Sequence, residues 1–205
     1  MKIILFRHGE KQKTESKITS DKNGVELTDL GVSQITKLGN TFKQRFPQLN
    51  NSTIIYSSFY RRSVQSAEII KSILNISQLK SVEEFGEFNA YSNYQNPKEI
   101  QNQLQSYAMQ NPDWISPETN NSLNKTISIF LEKIKQISFK NKSEYILIST
   151  HGGIIRNTVY SIDQKYRPSN ELILESKISE AGYTILNFDG QNFSVDQFNV
   201  HDFLD

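Results

Sequence analysis

The stretch KIILFRHGE, residues 2–10, sets four consecutive apolar residues, Ile3 to Phe6, directly before an arginine, a histidine and a glycine. A short apolar run bounded by charge reads as a strand buried on both faces, the kind found in a parallel sheet. Two further runs have the same character, STIIYSS at 52–58 and EYILIST at 144–150. GYTILNFDGQNFSVDQFNV at 182–200 reads as two strands joined at Asp189-Gly190, a favoured hairpin pair. LKSVEEF, 79–85, is a weaker strand candidate.

Helical patterns lie between these strands. Thr28 is a candidate N-cap for a helix carrying Ile35, Leu38 and Phe42 and stopping before Pro47. A second helix is expected from near Ser58, with Val64, Ala67, Ile70 and Leu74 along one face. A third opens near Asn121, and a fourth follows Gly152-Gly153. Strands alternating with helices predict an α/β fold, a three-layer α/β/α sandwich around a mostly parallel central sheet. With 205 residues and no visible linker or repeat, 1–205 is expected to be a single domain. The segment 88–122, rich in Asn, Gln, Tyr and Pro, is long for a connection. It reads either as a lid or substrate loop or as a solvated excursion.

Composition narrows the function classes. Lys and Arg total 23 against 22 Asp and Glu, a net charge of +1, so no global field gathers nucleic acid or an anionic membrane. Anion binding has to be local. The absence of cysteine excludes disulfides, a thiol nucleophile and a thiolate metal site. Four apolar residues before Arg7 are too few for a signal-peptide core, and no run approaches a membrane span, so a cytoplasmic location is the expectation.

In open α/β sheets, sites form beyond the carboxyl ends of the strands. There the first strand delivers Arg7-His8-Gly9-Glu10, the second Ser57-Ser58 followed by Arg61-Arg62, and the strand YILIST delivers His151-Gly152-Gly153. Arginine forks match phosphate oxygens and stay charged at every working pH. A neutral imidazole among them can attack phosphorus, because the cations withdraw charge from the phosphoryl group and oppose protonation of the ring. Gly9 and Gly152 let backbone approach an anion, toward which the helix after His151 points its positive end. A metal held by His8, His151 and an acid fits the residue types, but the adjacent arginines argue against a cation there.

Four ordered pieces resemble the histidine phosphatase, or phosphoglycerate mutase-like, superfamily: RHGE at 7–10, ELTDLGVSQITKLG at 26–39, SSFYRRSVQSAEII at 57–70 and ISTHGGIIR at 148–156. The resemblance implies that His8 is the nucleophile that becomes phosphohistidine. It assigns Arg7, Arg62 and His151 to the phosphoryl oxygens and to the charge of the transition state. The family's spacing of Ser, Arg, Gln, small hydroxyl residue and Ala fits Ser58, Arg62, Gln65, Ser66 and Ala67, which selects Arg62 over Arg61. The family also uses a carboxylic acid after the third strand to protonate the leaving oxygen and activate water. VEEFGEFNAY offers Glu83, Glu84 and Glu87, of which Glu87 fits the pattern best and Glu84 next.

Departures bear on substrate. KQKTES follows RHGE where mutases usually have a hydroxyl residue and then an Asn, and Asn120-Asn121-Ser122 stands where many members have Gly-Glu-Ser. These favour a phosphoric monoester hydrolase of the histidine acid type over a phosphoglycerate mutase, with an idle phospho-ligand binding protein as the further alternative. The implied substrate is a small phosphorylated metabolite or a phosphoprotein, with no cofactor, metal, nucleic acid or membrane partner, and oligomeric state stays open. Lys11, Lys13 and Lys17 read as solvated loop charges in preference to an extension of the phosphate site. His201, beside Asp202, reads as a terminal surface residue.

Overall fold

The structure, a computed structural model, describes residues 1–13, 25–90, 97–141, 143–169, 172–173 and 175–204. Six strands form one sheet: β1 (Lys2–Arg7), β2 (Ile54–Ser57), β3 (Gln78–Ser81), β4 (Tyr145–Thr150), β5 (Tyr183–Phe188) and β6 (Phe193–Val200). Five helices accompany them: α1 (Asp29–Arg45), α2 (Arg61–Ile73), α3 (Lys98–Gln110), α4 (Leu123–Lys140) and α5 (Gly152–Ile162). The sheet order is β3-β2-β4-β1-β5-β6. β3, β2, β4 and β1 run parallel, while β5 and β6 add an antiparallel edge.

The strand period of two divides the core in two. Ile3, Leu5, Ile146 and Ile148 face one side, where Ile127, Phe130 and Ile134 of α4 and Ile154, Ile155 and Val159 of α5 cover them. Ile4, Phe6, Ile55 and Leu147 face the other, under Ile35, Leu38 and Phe42 of α1 and Ala67 and Ile70 of α2. All of these are buried, and each large side chain so placed contributes about 1.5–3 kcal/mol. The result is the three-layer α/β/α sandwich expected from the alternation.

Local chemistry sets the boundaries. The Thr28 hydroxyl accepts from Gly31 N (3.0 Å) and caps α1, and Ser122 accepts from Lys125 N (3.2 Å) and caps α4. The β5–β6 turn uses Asp189, whose Oδ1 accepts from Gln191 N and Asn192 N (2.8 Å each), and Gly190 at φ 105°. LKSVEEF splits into the edge strand β3 and a 3₁₀ turn at Glu83–Phe85. α2 opens at Arg61 rather than near Ser58, because Ser58 stays in the loop with its hydroxyl turned to His151. Lys17, and residues 91–96 of the segment 88–122, lie outside the described residues; α3 occupies the middle of that segment. Among the described residues, no helix is long and apolar enough to cross a membrane.

β4 lies between β1 and β2, so three parallel strands end side by side. Arg7 pairs with Thr150 and Ser57 with Ser149, so His8, His151 and Ser58 step off the sheet at one edge. β5 is antiparallel to β1, with Tyr183 opposite Phe6. The residues preceding β5 therefore reach the same edge.

Candidate active site

Arg62 is the hinge of the cluster. Its Nε donates to His8 Nε2 (3.1 Å) and its Nη2 lies 3.3 Å from His151 Nδ1. Tyr60 lies beneath its guanidinium, 4.7 Å from ring centroid to Cζ. The two imidazoles are 5.4 Å apart, edge to face.

The hydrogen bonds fix both tautomers. His8 Nδ1 lies 2.8 Å from Gly9 O, a carbonyl that can only accept, so the proton is on Nδ1 and the lone pair is on Nε2, facing Arg62. Arg62 can only donate, so His151 carries its proton on Nε2, directed at Ser58 Oγ (2.8 Å). Burial pushes both histidines well below the ordinary imidazole value, and the Arg62 charge adds to the shift. Both rings are held neutral.

Glu87 closes the group, with Oε2 3.6 Å from His151 Nδ1. Burial pushes its carboxyl up, against the pull of Arg62, Arg7 and Arg156. Glu84 is engaged elsewhere, in an ion pair with Lys133 of α4 (2.7 Å), which holds its carboxyl down. Arg7 donates to Ile178 O and to Glu180 Oε1 (3.3 Å), both in the segment preceding β5.

The motif residues around this cluster are its scaffold. Ser66 Oγ accepts from Gly9 N (3.3 Å) and Gln65 Oε1 from Leu27 N (2.9 Å), fastening the loop after β1 and the entry to α1 onto α2. Gly9 is required by packing: a Cβ there would strike Gly31 of α1. Gly152 sits against the Arg7 side chain, and a Cβ on Gly153 would come within 2.6 Å of Glu87 Oε1.

Arg7, His8, Arg62, Glu87 and Gly152 share the wall of one cleft of about 370 Å³. Gly9 and His151 are outside that wall, His151 fully buried and in contact with Arg62. Lys11 and Lys13 are both exposed, as solvated loop charges would be, and Lys11 also lines the cleft. Arg61 points outward to Glu26 (3.3 Å) and Glu68 (3.6 Å), and His201 is exposed near the chain end. Sequence reasoning missed Arg156, Lys177 and Ile178 of the wall, while Phe88, Asn89 and Gln105 fall within the segment 88–122. For Arg156 a signal existed: it follows Gly152 by four residues, one helical turn along the same face. Among the described residues no group of three His, Asp or Glu side chains is arranged to hold a metal ion. With cationic side chains on the wall and both imidazoles neutral, the cleft suits a small anion.

A phosphoglycerate mutase-like protein of Arabidopsis thaliana is 25% identical over 201 residues, covering 94% of this chain and 82% of its own. The solved structure of YhfR from Bacillus stearothermophilus superimposes with a TM-score of 0.77 at 20% identity, covering 100% of this chain and 99% of its own. A mutant phosphoserine phosphatase from Entamoeba histolytica, in complex with phosphoserine, gives 0.74 at 19% identity and 99% and 98% coverage. A mycobacterial glucosyl-3-phosphoglycerate phosphatase gives 0.71 at 14% identity and 97% and 98% coverage. The family model of the histidine phosphatase superfamily (branch 1) matches residues 3–201. The chain therefore belongs to the histidine phosphatase superfamily, branch 1, and with it to enzymes of the phosphatase and mutase type.

Proposed function

We propose that the protein is a phosphomonoester hydrolase that works through a phosphohistidine on His8, with the whole chain acting as one catalytic domain. The observation that carries this reading is the His8 ring, neutral, with its Nδ1 proton held by Gly9 O and its Nε2 lone pair turned to Arg62. On substrate binding a phosphoryl oxygen takes over the Arg62 N–H, and the Nε2 lone pair is released toward phosphorus.

The first step forms the Nε2–P bond and breaks the bond from phosphorus to the ester oxygen. Glu87, whose hold on a proton burial strengthens, gives a proton to that departing oxygen. Arg7 and Arg62 hold the equatorial oxygens as charge develops on them, and His151, whose Nδ1 accepts from Arg62 Nη2, keeps that guanidinium in place. In the second step the Glu87 carboxylate takes a proton from water, the water oxygen bonds to phosphorus, and the Nε2–P bond breaks to release inorganic phosphate. Ser58, bonded to His151, and Tyr60, beneath Arg62, hold these two groups in place.

A small phosphorylated metabolite fits the size of the cleft, and the relatives named for phosphoserine and for glucosyl-3-phosphoglycerate support that substrate class. Phe88, Asn89 and Gln105 of the segment 88–122 stand at the cleft wall and shape access to it.

The test is incubation with phosphorylated metabolites, followed by assay of inorganic phosphate and of acid-labile, alkali-stable label on the protein. Phosphate release with transient labelling, both lost in His8→Ala, is the expected result. Net isomerisation of a phosphoglycerate with little free phosphate would move the reading to a mutase. Neither release nor labelling across the panel would end it.

A further inference from the structure

Helix α3 has little of its surface packed away: Ala108 is its one fully buried residue. Gln105 ties it to the segment after Glu87, with Oε1 accepting from Ala90 N (2.9 Å) and Nε2 donating to Phe88 O (3.3 Å). A second tie is Met109, whose Sδ accepts from Arg156 Nη2 of α5 (3.3 Å). The chain has two methionines and no cysteine, so Met109 is its one oxidisable sulfur apart from Met1.

A thioether is a weak acceptor, and here it meets a guanidinium short of acceptors. Arg156 is only 7% exposed. One Nη donates to Ser176 O, Nε has no partner, and no carboxylate forms an ion pair with the group among the described residues. A sulfoxide oxygen is a far stronger acceptor than a thioether and takes a charge-assisted bond. Met109 is half-buried rather than enclosed, and the rotatable bonds of its side chain let an added oxygen turn to the guanidinium. Oxidation of a core methionine disrupts its packing. At this position the new oxygen meets a donor instead.

We infer that Met109 is a redox modification site: hydrogen peroxide converts it to the sulfoxide, whose oxygen accepts from Arg156 and fastens α3 to α5. The sulfur lone pair attacks one peroxide oxygen and the O–O bond breaks. The departing oxygen takes the proton of the transferred one and leaves as water, so the thioether is oxidised as the peroxide is reduced. A dithiol-dependent reductase reverses the step, removing the oxygen as water. Because Gln105 holds the residues after Glu87 and Arg156 stands on the cleft wall, the oxidised tie braces two sides of one cleft. Mass and stability read the modification without any substrate, so it stands or falls apart from the proposed reaction.

The experiment treats the native protein with hydrogen peroxide and follows Met109 by peptide mass, the melting temperature by calorimetry and α3 by amide hydrogen exchange. Gain of one oxygen on Met109 should raise the melting temperature by about 2–4 °C and slow exchange of the 105–110 amides by about tenfold. Methionine sulfoxide reductases with a dithiol should reverse both changes. Met109→Leu, which keeps Met1, should show neither, assigning the effect to one sulfur. In Arg156→Leu, which removes the donor, the same oxidation should lower the melting temperature, because the sulfoxide is then left without its partner. Met109→Gln, which places an amide oxygen near the guanidinium, should give the rise with no oxidant and without altering the arginine. A fall or no change in the native melting temperature on complete oxidation of Met109, or an equal rise in Met109→Leu, overturns the site. So does a Met109 that stays unoxidised while Met1 is fully converted.

Discussion

Gly153→Ala tests the proposed acid through one methyl group. The added Cβ would lie 2.6 Å from Glu87 Oε1, while ordinary contact begins at 3.4 Å, so the carboxyl has to retreat by about 0.8 Å. The struck atom is the end of a flexible side chain, and Gly153 is a helical residue of α5 without a positive φ. Alanine costs the helix nothing there, and propensity alone favours it by up to about 1 kcal/mol. Stability should therefore change little. Displacing a catalytic group by about 1 Å costs on the order of a hundredfold, about 2.7 kcal/mol of activation free energy. That cost appears only where the leaving oxygen needs a proton. The assay is kcat/KM on an alkyl phosphate and on p-nitrophenyl phosphate, whose leaving group departs as a stable anion. The alkyl ester should lose about thirty- to a hundredfold and the nitrophenyl ester less than about threefold. Equal losses on both substrates, or none on the alkyl ester with an unchanged melting temperature, would refute the placement of Glu87 as the acid.

Two other predictions follow from the charge arrangement. Arg62→Lys should lower kcat/KM at least a hundredfold on every substrate, since a lysine cannot at once address His8 Nε2, His151 Nδ1 and the Tyr60 face; a loss under tenfold would show that charge alone suffices. Stability should fall as pH drops below about 6.5, where the unfolded chain protonates histidines that the folded chain keeps neutral. The slope is about 1.4 kcal/mol per pH unit for each of His8 and His151, partly offset by Glu87, which keeps its proton in the folded state after the unfolded chain has lost it. Urea midpoints between pH 7.5 and 5.5 measure the slope, and a flat profile would mean that the two rings titrate as if exposed.

What could be read from the sequence depended on how local its cause was. β1, β4 and the β5–β6 hairpin were legible because buried β-branched runs and Asp189-Gly190 act over a few residues. The parallel register then brings His8 and His151 together without further information. β3 was weak because it is an edge strand whose side chains mostly face solvent, so no apolar pattern marks it. The start of α2 was misplaced because Ser58 has the chemistry of an N-cap, but its hydroxyl is claimed by His151, 93 residues away in sequence. Gly9 was read as clearance for an anion; its nearest constraint is Gly31, a contact that exists only once α1 packs on the loop. Arg156 stood in the piece ISTHGGIIR without a role of its own. Its burial comes from Ser176 and Met109, which only the tertiary fold delivers.

The same arrangement explains how a histidine can serve as nucleophile beside a dianion. In the free site burial, and after it the arginines, depress His8, which keeps Nε2 unprotonated. A bound phosphomonoester brings negative charge beside the ring and reverses the sign of that influence, favouring a proton on the imidazole. The Nδ1 position is already occupied by the proton given to Gly9 O. Any further proton would have to sit on Nε2, the atom that faces phosphorus in the proposed reaction, where a bound phosphoryl group leaves it no room. Electrostatics prepares the lone pair before binding, and geometry preserves it afterwards. Glu87 gains from the same change, because an adjacent dianion strengthens its hold on the proton until the leaving oxygen develops enough charge to take it. Burial and the arginines together keep the nitrogen bare, while burial and the bound dianion hold the proton on Glu87 against the pull of those arginines, as phosphoryl transfer from an ester requires.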